Sequence, residues 1–325
     1  MMKNILIIEP NWLGDVLFTT PAIRAIKEKY RDSRITAILH KRCIAVLEGN
    51  TNLNEIITIN NPRGLSGFFE KAGLIFKLKN KKFDLAFLFT RSKSYRWMCA
   101  MAGIKQLAGS QTPKNAEPHR VEHYLNIVRA AGIDTKNKDY EFFLSNEHKR
   151  QALGLLSKNG MPETTPYIVI NPGGNWLPKR WPKENFAKLA DELFDKYGVR
   201  VIIAGAQKDA LLGNDISKLC RNKPVNLCGE TTLKQLAVIL KGARAVIAND
   251  TGPMHIAVSQ KAPTVAIFGP TNPDITGPYG SGRYVVVRKD IGCVVPCYDK
   301  TCSDYECMKA VGVEDVMRAV EKVIT

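Results

Sequence analysis

Two doubly wound α/β domains facing one another across a cleft are what this sequence predicts, on three observations. Short apolar runs alternate with stretches of helical periodicity, the pattern of parallel strands buried on both faces and joined by helices. The alternation stops at a polar segment rich in glycine and proline, SKNGMPETTP at residues 157–166, and then restarts. The length of 325 residues suits about two domains. The expected domains are 1–160 and 161–325.

In the first half, KNILII at residues 3–8 reads as a buried strand. Residues 16–30 read as a helix, with Val16, Ala22, Ile23, Ile26 and Tyr30 at helical spacing. Strands are expected at 34–39, 55–59 and 84–89, a helix at 67–79, and another at 120–131 with Val121, Tyr124, Leu125 and Val128 on one stripe. The second half repeats the grammar. Strands are expected at 167–170, 199–204, 225–227, 245–248, 264–268 and 284–288, with helices at 183–196, 209–220 and 313–323.

Composition narrows the classes. Hydrophobic residues are 45% and charged residues 24%, which excludes disorder and low complexity as overall descriptions. The longest apolar runs fall far short of the roughly 18 residues a membrane helix needs. Glu9 and Pro10 end the first of them, which argues against a signal peptide, so a cytoplasmic location is expected. Charge is the positive clue. Lysine and arginine number 47 against 31 acidic residues, a net of +16, and residues 1–160 carry 26 basic and 14 acidic side chains of that total. The first half therefore faces something anionic, or else it is a solvated basic surface.

Open parallel sheets bind ligands beyond the carboxyl ends of their strands, so the loops that follow strands matter most. The first is Glu9-Pro10-Asn11-Trp12-Leu13-Gly14-Asp15. Asp15 falls at the start of a helix, where the dipole favours a carboxylate. It is either a cap or an ionised base at the cleft. Neither a dinucleotide fingerprint nor a P-loop is present. The second loop, Asn171-Pro172-Gly173-Gly174-Asn175 running on to Lys179-Arg180-Trp181-Pro182, combines paired glycines with two cations. The third, Asn249-Asp250-Thr251-Gly252-Pro253-Met254-His255, opens an apolar helix whose N-terminus suits a phosphate or diphosphate. Asp209 and Thr231 follow further strands and are candidates for contacts to a nucleoside, or ordinary loop residues.

Asn-Trp-Leu-Gly-Asp at 11–15, Lys-Arg-Trp-Pro at 179–182, Asn-Asp-Thr-Gly-Pro-Met-His at 249–255 and Phe-Gly-Pro-Thr-Asn-Pro at 268–273 occur in that order. Together they resemble the ADP-heptose:lipopolysaccharide heptosyltransferases, the second enzyme of core assembly more than the first. The resemblance implies the glycosyltransferase B fold, two Rossmann-like domains facing across a cleft. It implies an inverting reaction that needs neither metal nor cofactor, with ADP-heptose held by the C-terminal domain and a lipid A-linked core sugar by the N-terminal one. Carried onto this chain, it makes Asp15 the general base. Donor contacts fall on Gly174, Lys179, Arg180, Asp209, Thr231, Asp250, Thr251, Gly252 and His255. Acceptor contacts fall on Arg91 and Lys93 in one loop and on His119 and Arg120 ahead of a helix. A phosphorylated acceptor in an anionic leaflet also suits the basic first half, which implies peripheral contact with the inner face of the inner membrane.

Eight cysteines are present, and Cys293, Cys297, Cys302 and Cys307 fall close together without the paired spacing of a common zinc site. Reduced thiols, a structural metal and disulfides all remain open there. Within the enzyme class, the alternative is a related glycosyltransferase with another nucleotide sugar or acceptor. A basic nucleic-acid-binding protein should interleave aromatics and cations on one surface. Here Trp12, Trp176 and Trp181 fall in the candidate loops instead, and nucleic acid is not an expected partner.

Overall fold

The structure, a computed structural model, describes residues 3–60, 65–109 and 118–324. The chain divides into two compact units between Phe143 and Leu144.

The first unit runs β1 (Asn4–Ile8), α1 (Leu13–Lys29), β2 (Arg34–His40), α2 (Ile44–Leu47), β3 (Glu55–Ile59), α3 (Leu65–Lys81), β4 (Leu85–Leu88), α4 (Lys93–Met101), β5 (Gln106–Gly109) and α5 (Arg120–Arg129). Its sheet is ordered β3-β2-β1-β4-β5 with every pairing parallel. β1 is central, and Ile5 to Ile8 are buried on both faces, which is why that run is continuously apolar. α1 is buried from Val16 to Ile26 and packs against α5.

The second unit runs α6 (Asn146–Lys158), β6 (Tyr167–Asn171), α7 (Lys183–Tyr197), β7 (Arg200–Ile203), α8 (Ala210–Leu219), β8 (Val225–Asn226), α9 (Leu233–Gly242), β9 (Val246–Asn249), α10 (Gly252–Ser259), β10 (Thr264–Ile267), α11 (Pro273–Thr276), β11 (Tyr284–Val287), α12 (Glu306–Lys309) and α13 (Val313–Ile324). The sheet order is β11-β10-β9-β6-β7-β8, again all parallel. Its core joins Phe186 and Leu189 of α7 to Ile247, Ile267 and Val316.

Besides the single-turn helices α2, α11 and α12, the sequence does not predict α4, β5 or α6. α4 is short and polar, with only Tyr95, Met98 and Cys99 buried. β5 has no β-branched residue to mark it. α6 shows a thin stripe, with Ala152 and Leu156 buried, and starts with a capping box in which Ser145 and His148 exchange bonds. α6 packs on α9. The compact units therefore part ahead of α6, not at the 160/161 seam read from the glycines and prolines.

Candidate active site

Each sheet has a switch point, where connections leave the first strand in opposite directions and open a crevice at the carboxyl ends. In the second unit it lies between β6 and β9. The loops that follow these two strands carry most of the donor candidates. Lys179 Nζ lies 2.6 Å from Asp250 Oδ2, so the ion pair bridges the two loops. Both side chains are largely buried, and His255 Nε2 stands 3.9 Å from the other Asp250 oxygen. Two asparagines hold this frame. Asn249, fully buried, donates through Nδ2 to the carbonyls of Pro172 and Gly173 and accepts from Trp181 N. Asn171 donates to the Ala204 carbonyl and accepts from the Thr251 hydroxyl.

Thr251 is the N-cap residue of α10, and its side chain does not cap the helix. Gly252 and Pro253 follow, and Pro253 contributes no N–H. The uncapped N-terminus of α10 thus lies beside a lysine and an imidazole, an arrangement suited to an anion.

Gly173 and Gly174 are required by close approach. A Cβ on Gly173 would come 2.8 Å from Asp209 Oδ2, and one on Gly174 would come 2.8 Å from Arg180 Cγ. Arg180 donates from Nε and a terminal nitrogen to the Gly174 carbonyl, and its guanidinium stands 4.0 Å from Asp209. Asp209 is buried. Oδ2 accepts from Ala206 N, while Oδ1 has no hydrogen-bond partner. Asp209, a candidate for a nucleoside contact, here holds the 205–206 turn and faces Arg180. Thr231, partly exposed, lies just before the Thr232–Gln235 capping box of α9. Trp181 lies in the loop ahead of α7, but its side chain is buried. It is packed edge-on to Phe186 in the core, and Nε1 donates to the Val311 carbonyl.

In the first unit the switch point lies between β1 and β4. Asp15 is in the first turn of α1, whose N-cap residue is Trp12. It is therefore not the cap, and the helix dipole favours its ionised form. Arg91 is exposed in the loop after β4, the other wall of the crevice. Lys93 is not a loop residue: it opens α4, because the helix begins directly after Ser92. His119 is the N-cap of α5, its Nδ1 accepts from Val121 N, and its ring meets Phe18 edge-on. Arg120 follows at the first position of α5.

The sequence reading missed Glu9, the residue that follows β1. It is 2% exposed, and burial pushes its carboxyl up to about 8 against a weaker opposing effect of its bond to Thr19. It missed Arg42 as well, whose guanidinium carbon stands 4.5 Å from the centre of the Trp12 ring. Burial raises the Cys43 thiol, and it feels the charges of Arg42, Glu9 and Asp15, so the four share one electrostatic neighbourhood.

All eight cysteines carry free thiols. Cys293, Cys297, Cys302 and Cys307 line one cavity of about 90 Å³ together with Pro178 and Pro270. Among the described residues no three histidine, cysteine or acidic side chains stand close enough to hold a metal ion. Among those residues no helix is long and apolar enough to cross a membrane.

The sequence profile of glycosyltransferase family 9 (heptosyltransferase) matches residues 78–307. A lipooligosaccharide heptosyltransferase 2 from Campylobacter jejuni is 30% identical over 323 residues, 97% of this chain and 98% of its own. A lipopolysaccharide heptosyltransferase 2 from Escherichia coli K12 is 28% identical over 87% of each chain. Among solved structures, a family 9 glycosyltransferase from Veillonella parvula superposes with a TM-score of 0.90 at 24% identity, covering 99% of this chain and 97% of its own. The E. coli ADP-heptose LPS heptosyltransferase II gives 0.82 at 25%, covering 99% and 98%.

Proposed function

The chain belongs to glycosyltransferase family 9 (heptosyltransferase) and has the glycosyltransferase B fold, and from that premise we propose that it moves L-glycero-D-manno-heptose from ADP-heptose onto the heptosyl-Kdo-lipid A inner core of lipopolysaccharide. The observation that carries the donor half of this reading is the Lys179–Asp250 pair set beside the uncapped N-terminus of α10. A diphosphate entering there draws Lys179 from Asp250 onto its oxygens, and Asp250 stays facing His255. Arg180, tied to the Gly174 carbonyl, adds a second cation at the glycine turn. Thr231, in the loop ahead of α9, is the residue assigned to the base of the nucleotide.

The reaction is a single displacement with inversion. Asp15 accepts the proton of an acceptor hydroxyl as that oxygen bonds to the anomeric carbon. The bond from the anomeric carbon to the diphosphate breaks, and ADP leaves with the electron pair. Negative charge grows on the diphosphate, and fixed N–H dipoles with Lys179 and Arg180 stabilise it. Arg91, Lys93, His119 and Arg120 supply cationic and hydrogen-bonding surface for the acceptor. The basic first unit concentrates the enzyme at an anionic inner membrane face, each cation near the surface worth about 1 kcal/mol.

The test is ADP release, with EDTA present, from ADP-heptose and heptosyl-Kdo-lipid A. Wild type should release ADP, and Asp15→Asn should lose about 10³-fold in kcat with little change in KM. Equal release by both would remove Asp15 as the base. No release by the wild type would favour the other reading, a related transferase with a different nucleotide sugar or acceptor.

A further inference from the structure

Trp12 is 61% exposed, on the loop that leads into α1. One face of its indole carries the Arg42 guanidinium at 4.5 Å from the ring centre. That guanidinium is pinned: Nε donates to the Asn11 carbonyl at 2.9 Å, next to the Trp12 backbone. Its position is fixed from the other side too. Arg42 lies in the 3₁₀ turn Lys41–Cys43, and its backbone N–H donates to His40 Nδ1. The His40 ring is held in turn by its Nε2–H on the Asn60 carbonyl, and Cys43 Sγ donates to the same Asn11 carbonyl as Arg42. The Arg42 side chain also hydrogen-bonds the Cys43 thiol, and among the described residues its guanidinium has no ion pair.

An exposed tryptophan stacked on a pinned arginine that has no carboxylate partner is prepared to bind, because side-chain freedom is already lost within the protein. The ring offers an apolar face to the C–H face of a sugar, and the guanidinium offers donors to a carboxylate or phosphate. Trp12 is the N-cap residue of the helix whose first turn carries Asp15, so a ring seated there is presented beside the proposed base. We propose that Trp12 and Arg42 form an acceptor subsite that takes a sugar ring bearing an anionic group and so selects anionic saccharides over neutral ones. This rests on the acceptor reading of the first unit given above.

The experiment is calorimetric titration, without donor, of three probes: the heptosyl-Kdo disaccharide, its carboxyl methyl ester, and the deacylated phosphorylated core saccharide. Wild type is compared with Trp12→Ala, Trp12→Phe, Arg42→Ala and Arg42→Lys. All four changes are at exposed positions, and an unchanged thermal midpoint confirms the fold. Trp12→Ala and Arg42→Ala should each weaken the disaccharide about tenfold, with Trp12→Phe partly retaining binding and Arg42→Lys less so. The loss in the double alanine variant should be less than the product of the single losses, because the two side chains act as one unit. If the carboxylate is the anion read, esterification abolishes the Arg42→Ala effect. If phosphate is read, Arg42→Ala leaves the disaccharide and its ester unchanged and weakens the phosphorylated saccharide alone. Binding by wild type that no variant changes would overturn the proposal, as would failure of wild type to bind any of the three. Absence of ADP release with binding and its Trp12 and Arg42 dependence intact would count against the transfer reaction only.

Discussion

Thr19 Oγ1 lies 2.8 Å from Glu9 Oε2 and 2.7 Å from the Val16 carbonyl. A threonine hydroxyl has one proton. The hydroxyl shares that proton between two acceptors, the Glu9 Oε2 and the Val16 carbonyl, and its bond to Glu9 opposes the rise that burial causes. Burial is the larger effect and holds the Glu9 carboxyl up at about 8 beneath the loop that carries Asp15.

Stability therefore depends on pH with a definite sign. Unfolded, Glu9 ionises near 4.5, and folded near 8. Between those values the folded state binds more protons, so the Glu9 contribution is full below about pH 4.5 and is lost progressively as pH rises to about 8. Glu9→Gln, which cannot ionise and whose amide oxygen accepts from Thr19 in the same way, should be more stable than wild type by up to ~3 kcal/mol at pH 7 and equal to it near pH 4. Urea midpoints at several pH values measure this. A Gln variant with the same pH dependence as wild type would show that Glu9 ionises elsewhere.

Lys179 and Asp250 separate stability from binding. Lys179→Met leaves a buried carboxylate without its cation and should destabilise the second unit by ~3 kcal/mol while weakening ADP at least tenfold. Adding Asp250→Asn should restore most of the stability but none of the ADP affinity. Thermal midpoints and ADP titrations on the same samples distinguish the two effects.

Two glycines should respond oppositely. Gly173→Ala forces the Asp209 carboxylate away and should weaken ADP binding. Gly154 sits in α6, where an added Cβ meets nothing within 4 Å. Gly154→Ala should leave activity unchanged and stabilise by about 0.5–1 kcal/mol.

Trp181→Phe removes the bond to the Val311 carbonyl. It should destabilise the second unit by about 1–3 kcal/mol, because that carbonyl loses its donor, and leave the KM for the nucleotide sugar near wild type. A raised KM at unchanged stability would return Trp181 to the ligand site.

The sequence by itself determined the fold class, the strands of both sheets except β5, and the three loops that carry Asp15, Lys179 and Asp250. Buried parallel strands must be continuously apolar, and loops beyond their ends carry the glycines, caps and charges that mark them; both signals are local. Tertiary structure alone decided the rest. Only sheet order brings Lys179 to Asp250, 71 positions on, because β6 and β9 are neighbours across the switch point. Only packing of α6 on α9 decides where the units part, and only burial separates Trp181, a core residue, from Trp12, an exposed one in a similar motif. Glu9 and Arg42 gave no sequence signal: a charged residue beside a strand reads as solvated until its neighbours close over it or hold it in place.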